Sequence, residues 1–164
     1  MKIQVAKTIV GATIAAALSL PAIAQSLVTQ KNISLAMAQT IAQAALAQCE
    51  SMGFKVSVAV VDRGGLPIVM IRGDGAGLHT PEGAERKAYT ARTFSQPSAD
   101  FVKRLTDRPD TVGSRQYSRV LALGGGLPIK AGNEVVGAVG VSGSPGKDDV
   151  CSQAGIDKVA DQLK

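Results

Sequence analysis

Tryptophan is absent from the 164 residues, and other aromatics are scarce, with three Phe and two Tyr. So thin a supply leaves little on which unpaired bases could stack. Charge points the same way. The formal net charge is +5, and Lys2 and Lys7 precede every acidic residue; without those two lysines the excess falls to +3. That is too small for the electrostatic footprint of a nucleic-acid binder. Histidine occurs once, at position 79, and cysteine twice, at positions 49 and 151. There is no C-x-x-C pair and no C-x-x-C-H signature, which removes zinc ribbons and covalent cofactor attachment. H-E-x-x-H, a nucleophile elbow and G-x-G-x-x-G opening a helix are missing too. Beyond the N-terminal segment no long apolar run recurs, so no membrane insertion is expected there.

That first segment, residues 1–24, reads as a signal peptide. Lys2 and Lys7 form its positive region, Thr8 to Leu20 its apolar core, and Ala22-Ile23-Ala24 a small-residue cleavage site. The core is too short to span a bilayer comfortably. Cleavage would leave a chain starting at Gln25, periplasmic or secreted, with residues 25–164 forming one domain. In an oxidising compartment Cys49 and Cys151 are free to form a disulfide, although their distance in sequence does not imply one.

The remaining chain alternates helix and strand signals. Ser34 to Met52 reads as a helix capped by Ser34 and stopped by Gly53, with Leu35, Ala38, Ala42, Ala45, Cys49 and Met52 as its apolar stripe. Val56 to Val61 and Leu66 to Ile71 are short apolar runs around Asp62-Arg63-Gly64-Gly65, which predicts a β-hairpin. Asp62 there makes the bend or presents a carboxylate to a pocket. A glycine-rich loop, Arg72 to Gly77, leads to Thr80-Pro81, a cap and first position for a helix reaching Phe94. Ala84, Ala88 and Ala91 form its expected sheet-facing stripe. Glu82 and Glu85 project from one side of its first turn, where they complement the helix dipole or chelate a hard cation. A shorter amphipathic helix turns Phe101, Val102 and Leu105 inward, and a polar loop, 111–119, runs over a pocket mouth. Strands follow at Val120–Leu123, Leu127–Ile129 and Glu134–Ser142, with Gly124-Gly125-Gly126 allowing a bulge or close approach. The last helix opens at Ser144-Pro145-Gly146, with Asp148 and Asp149 in its first turn and Ile156, Val159, Ala160 and Leu163 on its buried face. Turns this short between strands favour an antiparallel α+β sandwich of about five strands.

VVDRGGLPIVMIRGDGAG, then ERKAYTA, GGGLPI at 124–129 and VVGAVGVSG at 135–143 resemble the GlcG/HbpS-like haem-binding family, a module also found as the C-terminal domain of PduO-type proteins. The likeness spans about residues 33 to 160. It implies a profilin-like sheet with helices on both faces. The first and last helices then share a face, bringing Cys49 and Cys151 within reach of one another. It also implies a haem ligand, with His79 the natural axial residue and Thr111 or Tyr89 as alternatives. Arg72, Arg86 and Lys87 would meet the propionates, and Leu66, Ile68 and Leu78 would line the macrocycle. Iron at Glu82 and Glu85, a homo-oligomer and a membrane sensor protein as partner belong to the same picture.

Two other readings stand beside it. One is an enzyme acting on a small carboxylated metabolite, with Asp62 or Glu85 as base and Arg72 and Lys87 holding the carboxylate. The other is an oligomeric scaffold that binds nothing tightly. The leader generates a direct test: intact mass of protein exported to the periplasm should correspond to a chain beginning at Gln25, and recovery of Met1 on the exported form would refute the cleavage.

Overall fold

The computed structural model describes residues 26–164, so the expected signal peptide, residues 1–24, lies outside the described residues. Four antiparallel strands make one sheet in the order β2-β1-β4-β3: β1 Ser57–Asp62, β2 Pro67–Arg72, β3 Gly126–Ala131 and β4 Glu134–Ser142. Helices α1 (Leu35–Ser51) and α4 (Asp148–Asp157) pack on each other and on one face. Helix α2 (Thr80–Phe94) covers the other face, and α3 (Ser98–Asp107) packs beside it. The expected α+β sandwich is therefore present.

The expected fifth strand is not. Residues 120–123 run without a strand partner because α2 side chains take their backbone groups. Thr90 Oγ1 accepts from the Leu121 N–H at 2.9 Å, and Arg86 donates to the Val120 carbonyl at 2.9 Å. The expected loop at 111–119 begins inside a 3-10 helix, Pro109–Gln116.

Burial follows the alternation of the strands. Val58, Val60, Val139 and Val141 join Ile41, Ala42, Ala45 and Val159 in the core under α1 and α4, while Val61 and Ala138 meet Ala88 and Ala91 of α2. In α1 the buried stripe also takes in Ile41, three residues after Ala38 and four before Ala45, and it leaves Leu35 exposed. Helix α4 departs further. Its buried residues are Asp148, Cys151, Ser152 and Gly155, and the chain leaves the helix before Val159, so Ala160 and Leu163 belong to the 3-10 turn that follows. Cys151 is bonded to Cys49, with Cα atoms 5.5 Å apart, tying α4 to α1.

On the opposite face, α2 lies almost on the backbone. A Cβ at Gly140 would fall 2.2 Å from the Ala84 carbonyl oxygen, and one at the paired Gly126 would fall 2.1 Å from that of Lys87. Gly140→Ala should therefore cost about 1–3 kcal/mol or more through overpacking. Gly113→Ala, with nothing within 4 Å of the new carbon, should stay within about 0.5 kcal/mol of wild type. Urea unfolding of both variants checks the contrast, and equal stabilities would contradict the close approach.

Candidate functional site

Three segments enclose a cavity of about 440 Å³ beside the N-terminal half of α2, a volume within the range of small-molecule sites. Helix α2 supplies His79 at its N-cap and Lys87 about two turns on. The segment before β3 supplies Leu123 and Gly124. The end of β4 and the loop after it, Ser142 to Gly146, make a wall with Asp148 and Asp149 of α4. Two larger depressions, of about 530 and 540 Å³, lie along α1 and α4 and are more open; neither gathers a histidine or an ion pair.

Lys87 sits on the sheet-facing side of α2 and is 4% exposed. Its ammonium donates to Asp148 Oδ2 at 2.7 Å and to the Val141 carbonyl at 3.1 Å. Asp148, 7% exposed, uses Oδ1 to accept from the Ser144 N–H at 2.9 Å and the Ser144 hydroxyl at 2.6 Å. A buried pair survives desolvation only when its remaining donors and acceptors are met in this way. An ammonium has three donors, so one N–H of Lys87 is left for a ligand.

The triple glycine keeps no donor at Gly125 or Gly126 for an anion. Gly125 N–H donates to Asp149 Oδ1 at 2.8 Å, and Gly126 N–H to Ser98 Oγ at 2.8 Å. Its role is the close approach to α2. His79, by contrast, is exposed at the cavity rim, and its ring makes no hydrogen bond among the described residues. Thr80, expected as the cap, is the first helical residue. Its buried hydroxyl pairs with that of Ser57 at 2.8 Å and donates to the Gly77 carbonyl at 2.7 Å.

A family model described as haem degrading protein HbpS-like matches residues 33–157. The chain belongs to the HbpS-like family. A crystallised Glu→Asp double variant of HbpS from Streptomyces reticuli is 36% identical over 85% of this chain and 96% of that one, with a TM-score of 0.76. An uncharacterised 15.0 kDa protein of Citrobacter freundii, from the dhaT-dhaS intergenic region, is 34% identical over 72% of this chain and 84% of its own length. PduOC in complex with haem shares the fold at 24% identity and a TM-score of 0.70, over 77% of this chain and 94% of that one.

Within this HbpS-like chain the other candidate residues scatter. Arg72 donates twice to the Ala76 carbonyl, at 3.1 and 2.7 Å, and so braces the glycine loop from within. Arg86 bridges Glu82, at 2.9 Å, and Val120. Glu85 holds Arg119 at 2.9 Å; that guanidinium lies 4.1 Å from the Tyr89 ring centroid and also donates to the Gly65 carbonyl. Both glutamates of the acidic pair are thus engaged with arginines, and no set of three metal-ligating residues occurs among the described residues. Asp62 makes the bend: its Oδ1 accepts from the Leu66 N–H at 2.8 Å. Leu66 and Leu78 are exposed and Ile68 packs into the core, so none of the three lines this cavity. Thr111 lies in a separate cavity of about 420 Å³ with Phe94, Arg104, Arg108 and Tyr117.

Asp148 and its partner Ser144 join the candidates at this cavity, with no local sequence signal of their own. A signal was available at Lys87, which stands three residues after Ala84 and four before Ala91, within the buried stripe. A lysine there requires a buried carboxylate partner. Lys87→Ala leaves Asp148 charged and unpaired, and should destabilise the fold by roughly 3–5 kcal/mol. Adding Asp148→Asn to that variant should return part of the loss. Denaturant titration reads both, and a loss below about 1 kcal/mol in the single variant would place the pair in solvent.

Proposed function

We propose that the protein is an exported haem-binding protein whose site is the cavity between α2 and the β4–α4 loop. The observation that carries this reading is His79: an imidazole without a hydrogen-bond partner at the rim of a small-molecule-sized cavity. Neutral imidazole suits iron as an axial ligand. The family's description concerns haem, and PduOC, which shares the fold, was crystallised with haem. Leu123 and Pro145 offer apolar wall, and Lys87 offers its remaining N–H. Haem would supply an iron centre for His79 to hold; nothing in the cavity argues for a particular step beyond binding. Arg72 and Arg86 are engaged in internal contacts, which leaves Lys87 as the cation that lines the cavity.

Export is supported by the leader pattern and by the disulfide, which belongs to oxidising compartments. Self-association is supported by β2, an edge strand with Met70 exposed and Leu66 exposed just before it. Iron at Glu82 and Glu85 would share those carboxylates with Arg86 and Arg119. Asp62 and Glu85, the bases of the enzyme reading, accept from the Leu66 N–H and from Arg119, and neither lines this cavity.

A second site has one observation in its favour. Arg104 lies over Phe94 at 4.6 Å and makes no ion pair among the described residues, in the cavity that holds Thr111. Haem titration of the purified protein followed by its Soret band separates the two. His79→Ala should weaken binding by more than about tenfold, the scale on which even outer-shell partners of metal ligands act, and should shift the band. Thr111→Ala should do neither. The reverse pattern would move the site to the Arg104 cavity, and no saturable signal in wild type would end the haem reading.

A further inference from the structure

The disulfide is wired to the cavity. Cys49 Sγ lies 3.1 Å from Ser144 Oγ, and both residues are fully buried. Ser144 is the residue whose N–H and hydroxyl both go to Asp148, and Asp148 in turn holds the Lys87 ammonium. A disulfide sulfur carries no hydrogen, so the one Ser144 proton goes to the carboxylate, the stronger acceptor. On the other half of the crosslink, Ser152 follows Cys151 and donates to the Gly125 carbonyl at 2.7 Å, while Asp149 accepts from the Gly125 N–H. Both walls of the cavity are thus hung on α4.

Helix α4 brings few apolar side chains of its own to the core. It has 10 residues, carries Gly155 in its interior, and buries only Cys151 as an apolar side chain within its own span. A helix this short is marginal without tertiary anchoring, and an interior glycine weakens it further. Oxidation of the two thiols transfers two electrons and two protons to a disulfide oxidant and forms the one S–S bond. Until then each sulfur carries a hydrogen, the Cys49 S–H faces the Ser144 hydroxyl as a weak donor, and no covalent bond ties α4 to α1.

We propose that closing Cys49–Cys151 completes the cavity, so that the chain binds its ligand more tightly once oxidised. The inference rests on the reading of this cavity as the ligand site, and it favours ligand loading after export. Hydrogen exchange of oxidised wild type should be compared with the Cys49→Ala/Cys151→Ala variant, and haem titrated into both. Exchange of the amides between Ser142 and Asp149 should speed up by about tenfold or more in the variant, with β1 amides unchanged. Haem affinity should fall by about tenfold. Ser144→Ala, which keeps the disulfide, should reproduce the faster exchange and stands in if the double variant does not fold. Unchanged exchange over this segment in Ser144→Ala, or in a folded double variant, overturns the coupling. Faster exchange with no haem bound by either protein upholds the coupling and removes the haem reading alone.

Discussion

Helix α2 can lie where it does only because residues 126 and 140, paired across β3 and β4, have no side chain. Alanines at 84, 88 and 91 complete the contact from the helix side, all fully buried. Small residues on both partners bring helix backbone and sheet backbone together, and from that distance the side chain of residue 87 reaches past the sheet edge. A longer residue at 126 or 140 would lift the helix, and the Lys87 ammonium would lose Val141 and Asp148 together. The cavity is therefore a product of helix placement before it is a product of its own lining.

That placement carries a cost in charge burial. An ammonium and a carboxylate taken from water must recover several kcal/mol each through contact and hydrogen bonds. Here the recovery depends on a chain of partners from three elements: Val141 at the end of β4, Ser144 in the loop, and Asp148 at the start of α4. A hydrophobic pair at 87 and 148 would serve stability as well. The retained charges make sense for a site, because they leave a fixed cationic N–H at a cavity wall that an apolar pair could not provide.

How much of this was legible in the sequence depended on range. Local signals carried well: Ser34 caps α1 by accepting from the Met37 N–H at 3.3 Å, Gly53 ends that helix at φ 82°, and the Asp62 turn closes the hairpin. The alanine stripe of α2 was also readable, since a period fixes a face without knowledge of the partner. What failed was non-local. Val120 to Leu123 has the composition of a strand, but Thr90 and Arg86 reach its backbone first. Arg72 and Arg86 look like free cations in one dimension and prove to be spent on carbonyl groups. The acidic start of α4 gives no local sign that Asp148 faces inward to a lysine 61 positions earlier. Pairings across that range leave no periodic trace. The Cys49–Cys151 bond was reached through the family likeness, because spacing alone carries no connectivity.

Range is also why the proposed ligand site turns on His79 and not on the arginines. A surface cation commonly finds a carbonyl or carboxylate within its own reach, as Arg86 on α2 and Arg119 in a turn do, and its charge says little about what else it binds. A neutral imidazole at a helix N-cap has no such default partner. The position favours an acceptor for the free N–H groups, yet the ring makes no cap bond, although Ser, Thr, Asp or Asn would cap better. The sequence thus forgoes a local stabilisation at the one residue that faces the cavity rim with an uncommitted nitrogen. Local rules broken without local compensation are where function is expected to lie, and in the described chain His79 stands at the rim of a cavity that already contains a buried, hydrogen-bonded ion pair.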